Sequence, residues 1–236
     1  MTKLTVSQMS KIQHNLQTIG AEIASDCARF GRDAGSVQLL AVSKRHPVSA
    51  IREAYDGGQQ AFGENYVQEM LEKSHELADL AIEWHFIGPL QSNKTKDVAY
   101  VASWVHTIDR LKIARRLSEQ RPDSLPPLNV CLQVNVDNEA SKSGVTLDEV
   151  SALAESVSSF PNLKLRGLMA IPEATRDVAL QRKNFRLLAE AQALLNQSGY
   201  ELDTLSMGMS GDMDSAIAEG ATIVRIGTAI FGQRPV

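Results

Sequence analysis

The chain has 236 residues, a net charge of −4 from 28 acidic and 24 basic side chains, 43% hydrophobic and 22% charged residues, and two cysteines. A mildly acidic chain with no Lys/Arg block has no electrostatic footprint for nucleic acid or an anionic membrane, and two thiols cannot build a disulfide framework. No stretch approaches the roughly 20 apolar residues of a membrane span. The opening MTKLTVSQMSKIQHNLQ lacks an apolar signal core, so the expectation is a cytoplasmic globular protein.

The first thirty residues read as one amphipathic helix. Met9, Ile12, Leu16, Ile19, Ile23 and Cys27 recur at spacings of three and four, and Gly31 and Gly35 break the pattern. One rhythm then repeats: an apolar run, a turn, an amphipathic stretch. The runs occupy 37–42, 60–62, 83–87, 104–108, 128–136, 163–169, 205–207 and 222–226, and the helical stretches begin near Ser49, Tyr66, Asn93, Arg110, Leu147, Thr175 and Asp212. Strands alternating with helices call for βαβ units and a parallel sheet. Eight such strands suggest an α/β fold closed into a (β/α)8 TIM-type barrel, with the N-terminal helix as an extra. An open doubly wound sheet of seven strands is the competing arrangement, and it requires only that the short second run be no strand. No linker or low-complexity tract divides the chain, and Leu125–Pro127 reads as a stop between a helix and the next strand, so a single domain over 1–236 is expected.

Barrels carry their chemistry in the loops after the strands. Those loops hold Lys44 after LLAVS, Glu64 and Asn65 in FGEN, His85 in WHFIGPLQSNK, His106 and Thr107, Asn135, Ser206 and Ser210 in LSMGMSGDM, and Arg225 with Gly227 and Thr228 in VRIGTAIFG. Lys44 alone among the lysines terminates a strongly apolar strand. If it shares a strand face with Leu40 and Val42, its ammonium is held partly out of water and loses its proton more easily, as Schiff-base chemistry requires; the plain alternative is a solvated surface charge. The seventh and eighth loops are where barrels commonly hold phosphate. Ser210-Gly211 leads into a helix, and Gly227-Thr228 offers close backbone approach and a hydroxyl, although the same residues also read as a helix cap and a strand end. Arg225 interrupts a buried strand and needs a partner, either a carboxylate such as Asp203 or Glu64, or a ligand atom in the mouth. An amine, a phosphate cradle and a guanidinium converging on one mouth suggest pyridoxal phosphate. There is no G-x-G-x-x-G, P-loop or G-x-S-x-G, and the histidines show no metal-ligand spacing; His85 and His106 read as hydrogen-bonding residues rather than bases.

The same segments carry a family resemblance. LLAVSK (39–44), FGENYVQE (62–69), WHFIGPLQSNK (84–94), GLMAIP (167–172), LSMGMSGDM (205–213) and VRIGTAIFG (224–232) closely resemble, in order through nearly the whole chain, the YggS/PROSC-type pyridoxal phosphate homeostasis proteins. The resemblance implies a barrel similar to the N-terminal domain of alanine racemase, with pyridoxal 5′-phosphate held as a Schiff base on Lys44. It further implies that Arg225 faces the pyridine nitrogen, that Ser210, Gly227 and Thr228 hold the phosphate, and that Asn65 and Ser206 are pocket neighbours. The implied function is vitamin B6 cofactor homeostasis by a non-catalytic carrier that passes the cofactor to pyridoxal-phosphate-dependent apo-enzymes. Departures are minor: Arg45-His46 follows Lys44, and a short tail, Gln233–Val236, follows the last block. No long apolar stripe is evident beyond the barrel's own helices, so a monomer is expected. The alternative is a racemase-like enzyme, but the strand count leaves no room for the second domain that supplies the opposing tyrosine in alanine racemase, and Tyr66 is the nearest substitute. A barrel aldolase acting on a sugar phosphate also fits the lysine and the cradle, but leaves Arg225 without a role.

Overall fold

The computed structural model describes residues 9–137, 139 and 142–233; the expected domain limits at 1 and 236, and the tail at 234–236, lie outside them. Helix α1 (Lys11–Arg29) leads. Strands and helices then alternate: β1 (Gln38–Val42), α2 (Val48–Asp56), β2 (Ala61–Glu64), α3 (Val67–Glu76), β3 (Glu83–Phe86), α4 (Thr95–Val101), β4 (Trp104–Ile108), α5 (Leu111–Gln120), β5 (Leu128–Gln133), α6 (Val150–Ser158), β6 (Leu163–Met169), α7 (Val178–Gln197), β7 (Thr204–Ser206), α8 (Met213–Ala218), β8 (Ile223–Ile226) and α9 (Thr228–Phe231). Each strand pairs in parallel with the next, and β8 returns to β1 with Gln38 opposite Ile223 and Ala41 opposite Ile226, which closes the barrel. Closure excludes the open seven-stranded sheet. No helix among the described residues is long and apolar enough to cross a membrane.

The N-terminal helix begins at a capping box, with Ser10 accepting from the Gln13 N–H and the Gln13 side chain accepting from the Ser10 N–H. Its buried face, Leu16, Ile19, Ile23 and Cys27, packs against α2, α8 and α9, the helices flanking the β8–β1 seam. The second strand runs on to Glu64, where the apolar run ends at Phe62, because the Glu64 carboxylate is fully buried against Lys73 of α3. The fifth strand stops at Gln133 rather than Val136; Val134 still donates its N–H to the Met169 carbonyl, but its bridge partner is Val145. The one-turn helix α9 has no apolar periodicity long enough to be seen in the sequence.

Period-two alternation sorts the strands' side chains into two layers. Outward residues such as Trp84, Phe86, Val105, Leu205, Val224 and Ile226 join the large apolar shell between strands and helices. Inward residues make two small apolar groups, Leu40, Val42, Ala61, Ile87 and Ile223, and Trp104, Cys131 and Met169. Much of the remaining interior is polar: His85, His106, Ser206 and Arg225 are all buried. The β6–β7 contact is very close at Gly167, where an added Cβ would lie 1.7 Å from the Thr204 carbonyl oxygen. Gly167→Ala is therefore expected to lower the unfolding free energy by about 1–3 kcal/mol or more, read as a lower urea midpoint. Gly35→Ala, at a position open for a Cβ, is expected to stay within about 0.5 kcal/mol of the parent.

Candidate functional site

A cavity of about 280 Å³ opens at the C-terminal ends of β1, β2 and β8. Lys44, Asn65, Ser210, Arg225, Gly227 and Thr228 line it together, with Val42, Ile87 and Ile171 as apolar walls. Ser206 lies beneath them, fully buried, and accepts a hydrogen bond from Arg225. A neighbouring cavity of about 350 Å³, reaching Gln133, Lys142 and Pro172, shares the Asn65, Ile87 and Ile171 walls.

Lys44 stands two residues beyond the end of β1, in a turn whose next residue, Arg45, has a left-handed φ of 62°. A side chain in that region is uncommon and must be held there. The holding groups come from β2 and α3. Ser43 donates its N–H to the Gly63 carbonyl (3.0 Å) and its hydroxyl to Glu64 Oε1 (2.6 Å). Lys73 Nζ donates to the Ser43 carbonyl (2.8 Å), to Glu64 Oε1 (2.7 Å) and to Glu69 Oε2 (3.3 Å). Glu69 in turn accepts the Arg45 N–H on both carboxylate oxygens, at 3.0 Å each. The backbone is thus gripped on both sides of Lys44. Sequence reasoning missed this clamp and offered Glu64 as a partner for Arg225; the available signal was the i,i+4 spacing of Glu69 and Lys73 behind a buried strand end.

Burial pushes the Glu64 carboxyl up to about 7 against the pull of Lys73, and Glu69 faces it as a hydrogen-bonding neighbour. Partial burial would raise Glu69 as well, but the Glu64 proton, the Arg45 N–H and Lys73 together hold it below the usual carboxylate range.

Arg225 faces inward from β8 and is buried. Its Nη1 donates to Ser206 Oγ and its Nη2 to the Ala170 carbonyl, both at 2.9 Å. Neither expected carboxylate reaches it, because Asp203 binds Arg166 at 2.7 Å and Glu64 binds Lys73. Burial lowers the guanidinium to about 10, so it stays charged at neutral pH, with Asp212 supporting the charge. A buried cation with neutral partners is costly, and its unused donors facing the cavity suit an acceptor atom of a ligand.

The rest of the rim is made by two loops. After β7, Asp212 accepts the Met209 N–H (2.6 Å) and shapes a turn that presents Ser210 and Gly211. After β8, Gly227 and Thr228 open α9, whose first N–H groups have no partner within the helix. A Cβ on Gly227 would press on the Val42 carbonyl at 3.1 Å. Two hydroxyls and two glycine backbones on an open rim form a cradle fit for an oxyanion. Asn65 contributes a buried side-chain oxygen, Oδ1, with no hydrogen-bond partner, and its backbone is wedged by the β3–α4 loop, where a Cβ on Gly88 would lie 2.0 Å from the Asn65 carbonyl oxygen. His85 and His106 are hydrogen-bonding residues, as read from the sequence, and the structure shows that they bond each other in the interior. Tyr66 is half exposed and accepts a hydrogen bond from Arg45 at 3.3 Å.

The profile of the alanine racemase N-terminal domain family matches residues 8–235. The pyridoxal phosphate homeostasis protein of Pseudomonas aeruginosa is 58% identical over 226 residues, covering 96% of this chain and 97% of that one. This chain belongs to the pyridoxal phosphate homeostasis protein family. The Escherichia coli K12 member is 52% identical over 229 residues, 96% of this chain and 98% of that one. Among solved structures, PipY of Synechococcus elongatus with pyridoxal phosphate bound superposes with a TM-score of 0.78 at 38% identity, over 89% of this chain and all of that one (100%). Alanine racemase of Corynebacterium glutamicum shares the fold at 17% identity and a TM-score of 0.70; the match takes in 96% of this chain but 61% of the racemase.

Removing Lys73 takes away the donor shared by Glu64, Glu69 and the Ser43 carbonyl, so Lys73→Met is expected to cost about 1–3 kcal/mol in urea unfolding at neutral pH. A glutamate in the unfolded chain titrates near 4.5 while folded Glu64 keeps its proton to about 7. Between those values the folded state binds the extra proton, so this contribution to stability falls as pH rises and is level above about 7. Denaturation across that pH range is expected to show the negative slope contribution disappearing in Glu64→Gln.

Proposed function

We propose that the chain, as one domain over 1–236, binds pyridoxal 5′-phosphate at this mouth and serves as a non-catalytic carrier in its homeostasis, acting as a monomer in the cytoplasm and handing the cofactor to apo-enzymes. The observation that carries the reading is the convergence of Lys44, Arg225 and the Ser210, Gly227 and Thr228 rim on one cavity. The residues fit the cofactor in kind: an amine for an aldehyde, hydroxyls and free backbone N–H groups for a phosphate, and a guanidinium without an ion-pair partner among the described residues for a ring nitrogen. The unpartnered Asn65 oxygen adds a polar contact on the same wall. The names of the relatives, and the cofactor bound in PipY, point the same way.

The chemistry the cofactor brings is a reactive aldehyde that condenses reversibly with an amine. Lys44 supplies that amine, held in place by the Glu64–Lys73–Glu69 clamp. Ser210, Gly227 and Thr228 bind the phosphate, and Asn65 flanks the ring. Ser206 acts from below by orienting Arg225.

The charge on Arg225 disfavours chemistry that needs the ring as a strong electron sink, a limit that racemases tolerate, so the case against a racemase rests on the opposing base. A cationic donor beside the pyridine nitrogen keeps that nitrogen unprotonated and weakens the ring as an electron sink. Tyr66, the nearest candidate for a racemase's opposing base, is bound to Arg45 and is not among the cavity residues. Protein mixed with pyridoxal phosphate is expected to turn yellow, and Lys44→Ala to lose the visible band; an unchanged band in that variant overturns the role of Lys44. Loaded protein is expected to transfer cofactor to an apo-enzyme in the presence of a trap for free pyridoxal phosphate. Amino-acid racemisation at roughly 1–1000 per second would overturn the carrier assignment.

A further inference from the structure

A file of polar side chains crosses the barrel interior from the mouth to its floor. Arg225 Nη1 lies 2.9 Å from Ser206 Oγ, which lies 2.7 Å from His106 Nδ1. His106 Nε2 lies 2.9 Å from His85 Nδ1, and His85 Nε2 lies 2.9 Å from Glu83 Oε1. Ser206, His106 and His85 are each 0% exposed, whereas the Glu83 side chain is 40% exposed at the N-terminal end of β3.

Donor chemistry gives the file one direction. A guanidinium only donates, so the Ser206 oxygen accepts from Arg225 and its single proton goes to His106 Nδ1. A neutral imidazole accepting at Nδ1 carries its hydrogen on Nε2, which His106 donates to His85 Nδ1. His85 is then also the Nε2–H tautomer and donates to the Glu83 carboxylate. Burial keeps both imidazoles neutral by lowering their pKa, and the His85 hydrogen bond holds Glu83 below the usual carboxylate range. The reverse arrangement needs a proton on Glu83, because otherwise a bare His85 nitrogen would face a carboxylate. It also leaves the Ser206 hydroxyl proton without this acceptor.

We propose that Glu83, His85, His106 and Ser206 form a directional hydrogen-bond relay that positions Arg225 and couples its guanidinium to the charge of Glu83 at the opposite end of the barrel. Buried hydrogen bonds in series polarise one another, so the carboxylate at the floor strengthens what Ser206 offers the guanidinium. The imidazole planes are held from the side: His85 stacks on Trp104 with ring centroids 5.5 Å apart and planes 5° apart, and the Arg166 guanidinium covers Trp104 at 4.8 Å. Glu83 is faced by His85, by Trp104 and by Arg166, itself paired with Asp203, and the Asp212 carboxylate supports the charge on Arg225. The proposal rests on the mouth being a pyridoxal phosphate site, since Arg225 is then the group beside the ring nitrogen and the relay tunes the electronics of the bound ring.

The test is the visible absorption spectrum and the affinity of protein loaded with pyridoxal phosphate. Glu83→Gln keeps a side-chain oxygen at the floor but removes its charge, and Ser206→Ala cuts the file next to Arg225. Both are expected to shift the visible maximum in the same direction, with Ser206→Ala weakening retention of the cofactor on the order of tenfold. Glu201→Gln, an exposed carboxylate change elsewhere, is expected to leave the spectrum unmoved. A parent protein with no visible band fails the cofactor reading itself. A parent band that Lys44→Ala abolishes, with an unchanged maximum in both relay variants, overturns the relay while leaving that reading intact. A shift in Ser206→Ala alone overturns the part assigned to Glu83 and the two histidines.

Discussion

Lys44 and Arg225 come from opposite ends of the chain, and they share a mouth because β8 pairs with β1, with Leu40 directly beside Arg225 in the register. That seam is the constraint on which the site depends. Closing eight parallel strands turns alternate residues into a common narrow interior and sends every following loop to the same end. The N-terminal helix has its place in the same requirement, since it packs on the helices flanking the seam. The rim after β8 lies against Val42 of β1 for the same reason.

The interior closed in this way holds more charge and hydrogen-bonding capacity than an aliphatic barrel core. Two separate buried networks support the site. At the top of β1 and β2, Lys73 neutralises and cross-links Glu64 and Glu69 and so grips the chain around Lys44. Through the centre, two histidines and a serine link Arg225 to Glu83. Buried polar groups of this kind cost desolvation energy that well-packed apolar residues would not. What they supply is orientation, because each hydrogen bond fixes the direction in which a side chain points. The compensating apolar burial lies outside the strands, in the shell formed with the helices.

The fold was legible because its signals are local. Apolar runs marked all eight strands, and the missing length of the second run has one cause: Glu64 looks polar in the sequence and is strand in the structure because Ser43 and Lys73 both meet its buried carboxyl. The lining residues were legible too, through their positions after strands: Lys44, Asn65, Ser210, Arg225, Gly227 and Thr228 surround one cavity. Partnerships were not. Arg225 was offered Asp203 or Glu64 and instead takes Ser206 and the Ala170 carbonyl, because both carboxylates are claimed by closer cations on neighbouring elements. Ser206 was read as a neighbour of the pocket and lies under it, where its hydroxyl joins Arg225 to His106.

The sequence by itself determined the order and kind of the elements, and which side chains stand at the strand tips, since period-two and period-3.6 patterns and turn residues act over a few positions. Tertiary structure decided which polar group meets which. A buried donor selects its acceptor by distance across the closed barrel, and no local pattern records that Glu83, His85, His106 and Ser206 from three strands fall into one file beneath Arg225.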